Sequence, residues 1–202
     1  MTSLLLSPTP GGWRVAARLV RDLPARLLHG MRRRKVLAQL QARGIPGSIL
    51  VVCHGNICRS PYAAARLRTL LPHALASQTR VNSAGFIGPN RPPPAEAVAV
   101  AGARGVDLSQ HRSQLLGAQE AAAADLILVM EPAQQDRVCG SFGRWRADVV
   151  VLGDLDPEPI TRRAIRDPVE QPARVFEESY ARIDRCLRTL VSVMSRAAVA
   201  AR

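Results

Sequence analysis

A short apolar run that ends in cysteine and turns at once into a polar loop constrains this chain more than any other feature. Residues 48–53 read SILVVC. A run this short, apolar and rich in β-branched residues suits a strand buried on both faces, and such strands belong to parallel sheets. The loop His54-Gly55-Asn56-Ile57-Cys58-Arg59-Ser60 follows, and Pro61 stands where the first position of a helix tolerates a missing N–H. Helical spacing then carries to about Leu71. A strand is thus expected to deliver Cys53 at its carboxyl end, directly ahead of a helix N-terminus.

Strand-like and helix-like stretches alternate from there on. RVNSAG (80–85) reads as a strand ending at glycine, and residues 94–104 as an Ala-rich helix closed by Gly105. Residues 118–124 suit a short helix, DLILVM (125–130) a buried strand, and 131–139 a helix. ADVVVLGD (147–154) gives a fourth strand, and residues 155–172 form an irregular, Pro-rich, charged stretch. Residues 173–197 suit a long helix with Val175, Tyr180, Ile183, Leu187, Leu190 and Met194 on its inner stripe. The alternation implies an α/β fold of three layers, α/β/α, around a four-stranded parallel sheet. In such sheets ligands bind outside the carboxyl ends of the strands, where Cys53 stands.

The loop has the composition of an anion site. Backbone N–H groups in a tight strand-to-helix turn form a nest for anions, and the helix N-terminus adds about half a positive charge. Arg59 adds a planar fork that matches two phosphate oxygens. The same field favours the thiolate of Cys53, the form that attacks phosphorus and makes a cysteinyl-phosphate. Ser60 is placed to hydrogen-bond the sulfur and improve it as a leaving group. Gly55 is expected to permit close backbone approach, and Asn56 to tie the loop together at positive φ. Ile57 and Cys58 complete the loop, and His54 is expected to face solvent or be hydrogen-bonded, without a catalytic role. His111 and Ser113 are expected to do structural work nearby, while His29 and His73 read as surface residues.

A leaving alkoxide or phenoxide needs a proton. Asp154, Asp156, Glu158 and Asp167 are all available on the residues alone, the first three reading as a solvated cluster at a strand exit. Cys58 has two readings: a resolving thiol that forms a reversible disulfide with Cys53, or a small buried loop residue. Cys139 and Cys186 sit on helical patterns, as core or half-buried thiols.

Charge divides the chain. Of its 28 basic residues only Lys35 is lysine, and residues 1–47 hold nine of them against the single acid Asp22. That segment carries +8 of the net +12. It reads as a basic N-terminal extension, partly helical or disordered, ahead of a domain over residues 48–202. Residues 1–12 look disordered, and Trp13, Ala16, Ala17 and Val20 mark the face of a helix running to about Arg43, with Pro24 expected to break or restart it. Met31 offers an alternative start. The segment 13–43 suits an anionic membrane surface, an acidic partner or a plain solvated arm. The basic balance sits in this extension and no zinc-finger, basic-heptad or stacking-aromatic pattern accompanies it, so no nucleic-acid partner is expected. No apolar run approaches the ~20 residues of a membrane span. Four cysteines without a secreted-scaffold spacing, and an opening unlike a secretory signal, point to the cytoplasm, with peripheral membrane contact open.

VCHGNICRSP (52–61) resembles the signature of the low-molecular-weight protein tyrosine phosphatase family. VNSAG (81–85), GVDLSQHRS (105–113), DLILVME (125–131) and LGDLDP (152–157) are similar to family segments in family order. The resemblance covers about residues 48–197. It implies a four-stranded parallel sheet, no metal, no cofactor, and hydrolysis of aryl phosphates, usually phosphotyrosine on proteins. It also selects Asp167, beside Pro168, as the general acid. The chain departs from the pattern after Asp-Pro, where Val169 and Glu170 replace the usual aromatics. Phe86 and Trp145 are the substitutes for a ring wall, Trp145 otherwise reading as helix-end packing. An arsenate reductase shares this fold and loop but needs a downstream cysteine pair, for which only Cys139 and Cys186 are available. A catalytically silent anion-binding protein is the third alternative.

Overall fold

The computed structural model describes the backbone of residues 12–200 and side chains from residue 26 onward. Of residues 1–12, expected to be disordered, Gly12 opens a helix and the rest lie outside the described residues, as do the side chains of the stripe Trp13, Ala16, Ala17 and Val20. Four strands, β1 (Ser48–Cys53), β2 (Arg80–Gly85), β3 (Leu126–Val129) and β4 (Val149–Val151), form one parallel sheet in the order β2-β1-β3-β4. The central strand β1 is buried from Ile49 to Cys53. Its side chains alternate between two cores. Ile49, Val51 and Cys53 face helices α2 (Arg59–Leu70), α4 (Ala95–Gly102) and α7 (Ala173–Ala200). Leu50 and Val52 face α5 (Ala118–Ala123) and α6 (Pro132–Phe142). A short helix α3 (His73–Ala76) leads into β2. This is the three-layer arrangement that the alternating pattern implies.

Element boundaries moved where side chains from distant segments intervene. β4 is shorter than residues 147–154, with 3₁₀ turns at Arg146–Asp148 and Leu152–Leu155 on either side. Asp148 is drawn toward Arg43 and Arg144. At the other end Gly153 passes under Arg163, where a Cβ would lie 2.0 Å from the Arg163 carbonyl oxygen. Helix α2 begins at Arg59 rather than Pro61. Pro61 still falls within the first turn, whose N–H groups have no intrahelical acceptor, and Arg59 and Ser60 gain helical backbone. The inner stripe of α7 is buried throughout as expected, joined by Phe176, Cys186 and Val193.

The helices on the first face are locked at one point. The rings of Tyr62 (α2) and Tyr180 (α7) stack in parallel with centroids 3.8 Å apart. Tyr62 Oη donates to Asp184 Oδ1 at 2.9 Å, and Arg66 and Arg104 hold the same carboxylate at 3.3 and 3.1 Å. Burial, then the bond to Asp184, pushes the Tyr62 hydroxyl well above its ordinary range, so it stays a donor. Such stacking is worth about 0.5–1.5 kcal/mol beyond area burial. It fixes α2, and with it the loop at its start.

Helix α1 (Gly12–Arg43) runs unbroken across Pro24. Proline removes one i→i−4 bond, and the turns on both sides are long enough to propagate across it. The second half of α1 packs against the domain: Leu40 is buried, and Val36, Leu37 and Ile45 rest on the core. His29, expected at the surface, is buried with Nε2 2.9 Å from the Asp156 carbonyl oxygen.

Of the three acids expected in a solvated cluster, Glu158 is exposed, whereas Asp154 and Asp156 are inside. Asp154 and Asp156 are 2% and 1% exposed. Asp154 accepts both arms of Arg163 at 3.0 and 2.7 Å, and Arg182 and Arg185 grip Asp156 at 3.0–3.1 Å. Removing one partner of a buried ion pair strands the other. Asp156→Asn is therefore expected to cost on the order of 3 kcal/mol in urea unfolding at unchanged slope. A loss below about 1 kcal/mol would mean the network is a surface ornament.

Candidate active site

Strand β1 ends at Cys53 and helix α2 starts at Arg59, so the intervening residues must reverse direction within one short loop. Asn56 makes that turn. It takes φ +50°, a left-handed conformation that asparagine tolerates, and is fully buried. Its side chain is saturated: Nδ2 donates to Ser60 Oγ at 2.8 Å and Ser83 Oγ at 2.9 Å, and Oδ1 accepts from the Gln114 N–H at 2.8 Å. His111 Nε2 lies 2.8 Å from the Asn56 carbonyl oxygen. His111 thus braces the loop, as expected. Ser113 accepts from the Arg91 N–H at 2.9 Å and donates to the Gly88 carbonyl at 2.5 Å, shaping the neighbouring loop.

The tightest backbone approach falls at Gly85 rather than Gly55. A Cβ on Gly85 would sit 2.7 Å from the Asn56 nitrogen, whereas on Gly55 it would meet only ordinary contacts at 3.6 Å. Gly85 ends β2 beside Cys53, so the glycine that the loop requires comes from the adjacent strand.

Cys53, His54, Gly55, Ile57, Cys58 and Arg59 line one cavity of about 150 Å³ together with Asp167. Asn56 and Ser60 stand behind it and support it. Cys53 Sγ is 3.1 Å from Ser60 Oγ. That hydroxyl accepts from Asn56 Nδ2, and its own proton has two acceptors in reach, the sulfur and the Ala84 carbonyl at 3.3 Å. Arg59 is 3% exposed, and one guanidinium arm donates to the Ile165 carbonyl at 3.1 Å. The other arm pairs with Asp167 Oδ2, while the Asp167 side chain is 42% exposed. Ile165 is itself pinned, its N–H donating to the Met130 carbonyl at 2.8 Å. The segment carrying Asp167 is thus tied to both β3 and α2, and brought over the loop.

Cys58 is buried at the N-cap of α2. Burial first, then the neighbouring Cys53, pushes its thiol up to about 12. It is a neutral thiol at pH 7 and does not compete as nucleophile. Both loop cysteines are free. Cys186 is fully buried and Cys139 half-buried, and neither lines the cavity. Neither stands beside Cys53, so this arrangement does not favour the arsenate reductase alternative.

Among the described residues no aromatic ring lines the cavity. Phe86 is buried in the second core with the Arg137 guanidinium 4.3 Å above its ring, and Trp145 is 81% exposed. Neither serves as the expected ring wall, and Trp145 does not pack at a helix end. The walls are instead Ile57, Ile87 and Val169, with Arg91 at the side. Arg91 and Ile87 were not singled out in the sequence. The available signal for Arg91 was one cation within the otherwise apolar and Pro-rich stretch 86–94.

Comparison with known proteins agrees with this geometry. The family model for low molecular weight phosphotyrosine protein phosphatase matches residues 48–200. The "Probable low molecular weight protein-tyrosine-phosphatase EpsP" of Ralstonia nicotianae is 40% identical over 140 residues, which is 68% of this chain and 89% of that protein. The crystal structure of the Erwinia amylovora tyrosine phosphatase AmsI superposes with TM-score 0.66 at 32% identity, covering 75% of this chain and 95% of that one. The arginine phosphatase YwlE of Geobacillus stearothermophilus gives TM-score 0.68 at 25% identity, covering 78% and 98%. With the strand-loop-helix cradle of Cys53 and Arg59 already in place, these matches make the chain a member of the low molecular weight phosphotyrosine protein phosphatase family.

Proposed function

We propose that this phosphatase hydrolyses phosphotyrosine on proteins, with Cys53 as nucleophile, Arg59 as phosphate clamp and Asp167 as proton donor. The observation that carries the reading is the convergence of these three side chains on one cavity, with Ser60 Oγ 3.1 Å from the sulfur. Asp167 pairs with Arg59. A phosphoryl group takes over the guanidinium and releases Asp167 toward the leaving oxygen. The S–P bond forms as the P–O bond breaks, and the Asp167 carboxyl passes its proton to the departing phenoxide. Water then attacks phosphorus, its proton goes to the Asp167 carboxylate, and the P–S bond breaks. The Ser60 hydroxyl stabilises the departing thiolate. Residues 48–202 form the catalytic domain in this reading, with α1 as an accessory helix docked on it.

A neutral aryl group suits the apolar walls Ile57, Ile87 and Val169, and the Arg91 guanidinium can lie over its face. The likeness to an arginine phosphatase raises phosphoarginine as a second substrate. Arg91 beside Arg59 disfavours its guanidino group by like charge. The expected kcat/KM on a phosphotyrosine peptide exceeds that on a matched phosphoarginine peptide at least about tenfold, a gap of ~1.4 kcal/mol. Arg91→Ala is expected to raise KM for the phosphotyrosine peptide about three- to tenfold at unchanged kcat. Preference for phosphoarginine would sink the substrate assignment.

Cys58 is proposed as the resolving thiol of Cys53. Peroxide oxidises Cys53 to the sulfenic acid, Cys58 sulfur displaces water, and a disulfide forms. Because burial keeps Cys58 protonated, this step is slow and follows rather than competes with catalysis. Dithiothreitol should restore peroxide-treated wild type but not Cys58→Ala. Equal recovery of both would end the proposal.

A further inference from the structure

On the far side of α1 from β4, the docked half of the helix and the C-terminal half of α7 enclose a second groove, of about 330 Å³, that the chemistry above does not use. Four arginines line it: Arg33 from α1, and Arg185, Arg188 and Arg196 from α7. Arg185 is neutralised by Asp156 and Glu158. The other three have no carboxylate within 4.0 Å among the described residues. Exposed arginines elsewhere, such as Arg112 and Arg174, also lack an acid, but here three unneutralised guanidinium groups line one groove.

The groove also offers neutral donors. Ser192 Oγ accepts from Arg196 at 3.1 Å, which leaves its own proton to give. The Nε of Arg33 is buried, and no atom among the described residues accepts from it. Several guanidinium groups facing one space repel each other, and an anion between them offsets that repulsion. Guanidinium forks and hydroxyls are the donor set that phosphate oxygens take. We propose that the groove between α1 and α7 is a binding site for phosphate-bearing anions, separate from the catalytic loop. The phosphate can come from a free anion or from a lipid headgroup. Leu27, Leu28 and Met31 stand exposed on the same helix, which supplies apolar contact in the second case.

The test uses the full chain and inorganic pyrophosphate as probe. Equilibrium dialysis should count two sites in the wild type, one at the catalytic loop and one here. Arg188→Glu/Arg196→Glu should count one, its groove affinity falling at least about thirtyfold, while turnover of p-nitrophenyl phosphate stays unchanged. These two arginines hold no other element in place, so the variant is expected to fold. A single site in the wild type, or two sites in the variant, overturns the proposal whatever membranes do. Sedimentation with phosphatidylglycerol vesicles, and with phosphatidylcholine vesicles as control, then assigns the source. Retention on the first that the double variant loses identifies a lipid headgroup. Retention on neither, with the second pyrophosphate site present, identifies a free anion.

Discussion

Cys53→Ser is expected to lower kcat for p-nitrophenyl phosphate by at least about four orders of magnitude. The exchange is nearly isosteric, and Ser60, Asn56 and Arg59 keep their positions around it. What changes is the attacking atom. A serine hydroxyl stays protonated at neutral pH, and the side chain hydrogen-bonded to position 53 is the Ser60 hydroxyl, which is not a base. The variant should still bind phosphate, because the clamp and loop are intact. Retained turnover would move the nucleophile elsewhere. Loss of both turnover and phosphate binding would point to a collapsed loop, and thermal unfolding of the variant separates those two outcomes.

Asp167→Asn is expected to cost about two to four orders of magnitude in kcat for phosphotyrosine or another substrate with a poor leaving group. The loss should be clearly smaller with p-nitrophenyl phosphate, whose nitrophenoxide leaves with little proton help. Asparagine keeps a hydrogen bond within reach of Arg59 but cannot donate a proton and then recover it. The substitution also removes a carboxylate that competes with phosphate for Arg59, so phosphate binding should not weaken. Equal losses on both substrates would count against Asp167 as the acid and favour a role in positioning the clamp.

The catalytic loop was legible in the sequence because its chemistry is contiguous. Cys53, Arg59 and Ser60 lie within eight residues, and the strand before them and the proline after them announce the geometry. Asp167 was not legible from composition. It competed with Asp154 and Asp156, and the reason they lose is structural: both are buried in ion pairs with arginines from other segments. The two partners of Asp156, Arg182 and Arg185, lie 26 and 29 residues away, too far for any local pattern to show. His29 was misplaced for the same reason, its partner being 127 positions distant. The ring wall failed as an expectation because proximity to the loop in sequence does not fix side-chain direction. Phe86 follows the strand end at Gly85 yet turns into the second core, while its neighbour Ile87 turns into the cavity. The start of α2 was misjudged by two residues because proline marks a permitted first turn, and Cys58 capped the helix earlier.

The account stands on a covalent bond between substrate phosphorus and one sulfur. Mass spectrometry of the full-length Asp167→Asn variant, quenched rapidly during turnover of p-nitrophenyl phosphate, tests that bond directly, because the substitution slows hydrolysis of the intermediate. The expected result is one added phosphoryl group, located on the peptide that contains Cys53. A chain that turns over substrate while remaining unmodified, or that carries the phosphoryl group on another residue, would contradict it.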